Sequence, residues 1–135
     1  MIVADTNLIA SFWVPTDVEQ LAYSSLKKDS EWIAPILWAS EFRNVLALYY
    51  RKGILDLPSI FRAIDEAEDF MNSREFSINS NQVLTLMSES TCSSYDCEFV
   101  ALASEFDVQL VTFDKKILAE FPGIAIHPEE FVAGI

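Results

Sequence analysis

The chain opens with "MIVA", an apolar run suited to a short buried strand, and the run ends at an acid, Asp5. From about Leu8 to Lys28 the spacing turns helical. Pro15 is placed to interrupt that stretch, so a short turn and then a helix from Thr16 are expected. "WIA" reads as a short second strand. Beyond Pro35, "ILWASEFRNVLALYYRKG" carries apolar groups at helical spacing until Gly53 stops it. "LPSIFRAIDEAEDFMN" begins with proline in its first turn and lines Ile60, Ile64, Ala67 and Met71 along one stripe. Its acids Asp65, Glu66, Glu68 and Asp69 mostly face the other way, as a solvated surface. "REFSI" alternates like a short strand, and "NSNQVLTLMSES" follows as a helix with a polar start. "SSYDCEFVALASEF" is again helical, "VQLVTF" is rich enough in β-formers for a central strand, "DKKILAEF" is a short helix and "IAIH" a last strand. Strands alternating with helices indicate βαβ units and a parallel sheet covered on both faces. In such open sheets ligands bind beyond the carboxyl ends of the strands, where the chain order reverses.

Composition narrows the picture. The 135 residues fit one domain, 1–135, with no repeat, low-complexity tract or obvious linker, and a hydrophobic content of 51% against 22% charged makes it globular. No apolar stretch reaches the roughly 18 residues of a membrane span, and the N-terminus lacks a secretory pattern. A soluble, cytoplasmic protein is expected. Cys92 and Cys97 are too few for an all-cysteine zinc site and lie far from the lone His127, so they read as reduced packing residues. Net charge changes the picture most: 21 acids against 9 bases give −12, which taken alone argues against a nucleic-acid partner. The excess has three accounts. It keeps monomers apart, or bound divalent cations neutralise part of it, or a basic partner protein does.

Four acids sit where a purely structural role is least comfortable. Asp5 ends the first strand, and Asp114 follows "LVTF" in the same arrangement; parallel central strands would send both carboxylates to one sheet edge. Each could equally cap the following helix. Glu41 shares a helix face with Val45 and Leu48, and Asp96 with Phe99, Val100 and Ala103. For Asp96, Ser93-x-x-Asp96 resembles a capping box. For Glu41 the alternative is an ion pair with a base such as Arg43, although residues two apart do not face each other on a helix. Converging on one cleft, four carboxylates would repel strongly and some would stay protonated. A hard divalent cation, Mg²⁺ or Mn²⁺, reverses that balance and leaves positions open for water and a substrate phosphate.

These segments resemble the PIN-domain nucleases and, within them, the VapC-like toxins of bacterial toxin–antitoxin pairs. "IVADTNLIASFW" is similar to the family's first motif, with Asp5 its first acid. "APILWASEFRNVLALYYRKGIL" is similar to the second segment, with Glu41 the helix carboxylate and Asn44 one turn on. "SSYDCEFVALASEFDVQLVTFDKKIL" resembles the third and fourth motifs, giving Asp96 and Asp114, with Thr112 as the hydroxyl before the last acid. The resemblance runs through nearly all of the chain. It implies a three-layer α/β/α sandwich around a parallel sheet of about five strands. It also implies Mg²⁺- or Mn²⁺-dependent cleavage of RNA, frequent homodimerisation, and a small antitoxin with a basic tail that occupies the acidic cleft. Cys97 and Glu98 stand where small or apolar residues are common in the family; Glu98 could add charge near the rim.

On this reading Asp5, Glu41, Asp96 and Asp114 are the catalytic and metal-ligating acids, Glu41 being a ligand or a base that orients water. Asn7 and Thr112 fix carboxylate orientation, and Arg43, Lys115 and Lys116 are placed to contact phosphate or, equally, water alone. Trp13, Trp32 and Trp38 serve the core or a dimer contact, with base stacking the lesser alternative. A phospho-receiver domain would need an aspartate after a central strand near residue 50, where the pattern is helical. A dehalogenase-type phosphatase would need a second acid where Asn7 stands. A non-catalytic module that holds a basic peptide remains open.

Overall fold

In the computed structural model, which describes residues 1–134, five strands form one sheet in the order β3-β2-β1-β4-β5, all neighbours parallel. The strands are short: β1 Ile2–Ala4, β2 Trp32–Pro35, β3 Glu75–Phe76, β4 Leu110–Val111 and β5 Ala125–Ile126. β1, β2 and β4 are buried throughout. That is why they read as unbroken apolar runs rather than alternating ones. The register sets Val3 against Leu110 and Ala4 against Val111, so β1 and β4 end side by side. The order reverses at β1, with β2 on one side and β4 on the other, and this is the crevice where open parallel sheets bind ligands.

Eight helices complete the described residues: α1 Thr6–Ala10, α2 Glu19–Lys28, α3 Trp38–Arg51, α4 Leu57–Met71, α5 Ser80–Ser88, α6 Ser94–Phe106, α7 Lys115–Glu120 and α8 Pro128–Ala133. They lie on both sides of the sheet, giving the expected three layers. α6 packs on β1, β2 and β4 with α5 behind it, and α4 packs on β2 with α3 against it. α6 buries Phe99, Val100, Leu102 and Ala103, and its C-cap, Asp107 with φ 53°, ends it in the left-handed region. At its start Cys92 precedes the cap Ser93 and Cys97 is the fourth helical residue, positions whose side chains pack together at a helix entrance. Both cysteines are free and buried. The aromatic core gathers around Phe12, stacked on Trp32 at 5.5 Å and edge-on to Trp13, Tyr23 and Phe70.

Several boundaries differ from the pattern. The first helical stretch breaks at Ser11, well before Pro15, and resumes only at Glu19. Pro35 ends β2 instead of opening a helix; α3 starts at Trp38. β4 is shorter than "VQLVTF", because Leu110 and Val111 are the residues that find partners in both β1 and β5. α8 lies beyond the last expected strand, opened by Pro128 and capped by His127, whose Nδ1 accepts the Glu129 N–H. No helix is long and apolar enough to cross a membrane among the described residues.

Candidate functional site at the carboxyl edge of the sheet

Asp5, Glu41, Asp96 and Asp114, which arrive from four separate parts of the chain, line a single cavity of about 610 Å³. Asp5 follows β1 and Asp114 follows β4, so the parallel pairing of those strands delivers both to one edge. Glu41 comes from the first turn of α3 and Asp96 from that of α6. Thr6, Asn7, Ser40, Asn44 and Tyr95 complete the polar wall, and Leu37 and Val45 the apolar one.

Capping and convergence turn out to be compatible. Asp5 accepts the Thr6 N–H at the start of α1, and Asp114 accepts the Lys116 and Ile117 N–H groups at the start of α7. The Ser93 hydroxyl caps α6 by accepting the Asp96 N–H. Each cap fixes the backbone of an acid whose carboxylate still faces the cavity. Glu41 has no ion pair with Arg43. Its Oε1 accepts from the Thr6 hydroxyl at 2.7 Å, while Arg43 donates to Ser40 Oγ. The α3 face carrying Glu41 also differs from expectation. The helix buries Trp38, Phe42 and Leu46, and the adjacent stripe of Glu41, Val45 and Leu48 runs from the cavity out to an exposed Leu48.

A small network orients the acids. The fully buried Thr112 hydroxyl donates to Asp5 Oδ2 at 2.6 Å and accepts the Asp114 N–H at 3.0 Å. Asn7 donates to Thr112 Oγ1 and accepts the Phe113 N–H, pinning the turn between β4 and Asp114. Sequence reasoning missed Thr6, which bridges Asp5 to Glu41. The signal was present in "DTN", a hydroxyl one residue past the first acid.

The electrostatics follow from crowding. Burial pushes the Asp5 carboxyl from 3.8 up to about 7, opposed by the Thr112 and Thr6 hydrogen bonds and reinforced by the charges of Glu41 and Asp96. Burial also raises Glu41, helped by Asp96 and Glu98, against the Thr6 hydrogen bond. Asp96 is raised by burial and then by Asp114, with the Ser93 hydrogen bonds and Lys116 pulling it back. Glu98 therefore adds to the field without lining the cavity. Lys115 and Lys116 are exposed at the start of α7, and Lys116 is near enough to act on Asp96.

All four acids offer hard, anionic oxygen donors and repel one another, which is the donor set a small divalent cation takes. Both Asp5 oxygens and one oxygen each of Glu41 and Asp114 are meanwhile engaged by hydroxyls and backbone N–H groups, and no three His, Cys, Asp or Glu side chains among the described residues stand close enough to hold an ion together. The donor chemistry fits such an ion; the observed side-chain positions are not those of a closed coordination shell. The three indoles are spent on structure. Trp32 and Trp38 are fully buried, and all three N–H groups are bonded, to Asp29 O, Glu75 and, for Trp13, Glu66.

Over 126 residues the chain is 24% identical to Ribonuclease VapC3 of Pyrobaculum aerophilum, covering 91% of this chain and 96% of that protein. The crystal structure of FitAcB from Neisseria gonorrhoeae superposes with a TM-score of 0.75 at 16% identity, over 96% of this chain and 99% of the other. This is a PIN-like fold. A toxin–antitoxin complex from Klebsiella pneumoniae contains a chain with a TM-score of 0.70 at 15% identity, over 95% and 98% of the two chains. No family model matches the sequence. The PIN-like architecture explains why the four acids meet: the fold carries them on two parallel strand ends and two helix starts around one crevice.

Proposed function

We propose that this chain is a Mg²⁺- or Mn²⁺-dependent endoribonuclease that works in the cytoplasm as the toxin of a type II toxin–antitoxin pair. The observation that carries the reading is the single cavity lined by Asp5, Glu41, Asp96 and Asp114. Likeness to a protein named as a ribonuclease and to a chain of a toxin–antitoxin complex supports it. Asp5, Glu41, Asp96 and Asp114 would hold the cation. When bound, it supplies Lewis acidity, easing deprotonation of water and offsetting charge on the leaving oxygen. Asp5 is held toward the cavity by Thr112 and Thr6, so its orientation is set before substrate arrives. Glu41, half-buried and tied only to the Thr6 hydroxyl, orients the attacking water or accepts its proton. Asn7 and Thr112 keep Asp5 and Asp114 in register. Arg43 on α3 and Lys115 and Lys116 at the start of α7, all exposed, meet the RNA phosphates.

The partner in this proposal is a small antitoxin with a basic tail, suited to a protein of charge −12, and the working unit is a homodimer. The test is cleavage of a mixed RNA substrate by the purified chain with Mn²⁺ or Mg²⁺. Cleavage that stops with EDTA and returns with added metal is the expected result. Persistent cleavage in EDTA, or none with either metal, would overturn it.

A further inference from the structure

Of the residues lining the acidic cavity, Tyr95 is the one aromatic, and it is 60% exposed. It lies outside the aromatic cluster built around Phe12 and precedes Asp96 on the first turn of α6. The Ser93 cap fixes the backbone there, so Tyr95 leaves the helix next to an acid of the site while its side chain stays largely in water. Building on the nuclease reading, we propose that Tyr95 is the base-stacking platform of this site, holding an unpaired nucleobase next to the bond that is cut.

Charge makes such a platform necessary. With 9 bases against 21 acids, the chain has little to gain from releasing counterions along a phosphate backbone. Near the cavity the positive groups are Arg43, turned to Ser40, and the lysines at the start of α7. Stacking on an aromatic face is indifferent to that deficit, and it tolerates any base because every base has a π-face. It also selects substrates, because bases in a duplex are already stacked on one another. The three tryptophans cannot do this work, since their rings and N–H groups are used in the fold. Tyr95 acts in binding and position, while the acids act on the phosphodiester.

The test uses short unstructured RNA oligonucleotides with 2-aminopurine at successive positions. Fluorescence is read with Ca²⁺ to follow binding, and steady-state cleavage with Mn²⁺. Wild type and Tyr95→Phe should quench the probe at one or two adjacent positions. Tyr95→Ala and Tyr95→Leu should lose that quenching and raise KM about tenfold, with kcat within about twofold. Their melting temperatures should match wild type, since the ring is exposed. Unchanged quenching and KM in Tyr95→Ala, or a fall in kcat at constant KM, would overturn the stacking role. A wild type that quenches through Tyr95 yet cleaves with neither Mn²⁺ nor Mg²⁺ keeps the platform and removes the nuclease. One that cleaves while Tyr95→Ala behaves identically does the reverse, and one that neither binds nor cleaves ends both.

Discussion

Two groups of four acids occupy this small molecule, and they live under different physics. Asp65, Glu66, Glu68 and Asp69 crowd a single helix, α4, and all four are exposed. Asp5, Glu41, Asp96 and Asp114 are scattered over more than a hundred positions and share one cavity in which burial raises three of them. Water screens the first group, so density in sequence costs that helix little. In the second group each carboxylate loses solvent and gains like-charged neighbours, which is where ionisation becomes expensive and a cation useful. Acid density along a chain is thus a poor guide to a site; burial of acids beside acids is a better one.

Exchanging carboxylates for amides should separate the two groups most sharply in activity. Asp5→Asn or Asp96→Asn is expected to lower RNA cleavage by on the order of 1,000-fold or more, while both variants still fold. Carrying Asp65→Asn, Glu66→Gln, Glu68→Gln and Asp69→Asn together should leave the rate within about twofold. Comparable losses in both sets would erase the distinction.

The next effect is on stability against pH. Asp5 has its folded pKa raised from 3.8 to about 7. Between those values the unfolded chain has released a proton that the folded chain keeps, so this group's contribution to stability falls as pH rises from about 4 and is fully lost above about 7. The difference in unfolding free energy between wild type and Asp5→Asn, measured in EDTA, should therefore shift by up to about 4 kcal/mol across that window, in favour of the variant at high pH. A flat difference would mean that Asp5 is not desolvated.

Metal should act in the same place with a smaller effect. At about 100 times its dissociation constant, Mg²⁺ or Mn²⁺ should stabilise wild type by about 2.7 kcal/mol, raising the melting temperature by on the order of 10 °C. The α4 amide variant should keep that rise, and the Asp5→Asn, Asp96→Asn double variant should lose it. Smallest of all, neutralising the α4 acids should change stability in EDTA by no more than about 0.5 kcal/mol.

Much of the fold could be read from local pattern. The strands are short, but their apolar runs end at acids or turns, and the α4 stripe of Ile60, Ile64, Ala67 and Met71 does face the core. The misread boundaries have local causes that depend on distant residues. Pro35 stays in β2 because its strand pairs with Phe76, and "VQLVTF" narrows to Leu110–Val111 because those residues pair with both β1 and β5. For the site, the acids were visible as residues awkward to bury. What hid Thr6 and Tyr95 is that a hydroxyl after an aspartate and a tyrosine before one are unremarkable until their neighbours are known.

Sequence by itself determined the order of strands and helices as far as β5 and the residue types of the site, and it offered Asp5, Ser93 and Asp114 as candidate caps, because propensity, periodicity and caps act over a few residues. Only the tertiary structure decided that Asp5 and Asp114 end adjacent strands, that Glu41 turns to Thr6 rather than to Arg43, and that Tyr95 stands at the cavity while Trp32 and Trp38 are buried and Trp13 packs against the core. Those are matters of which surfaces remain in water once the sheet has paired, and desolvation and like-charge repulsion arise only between groups the fold has brought together.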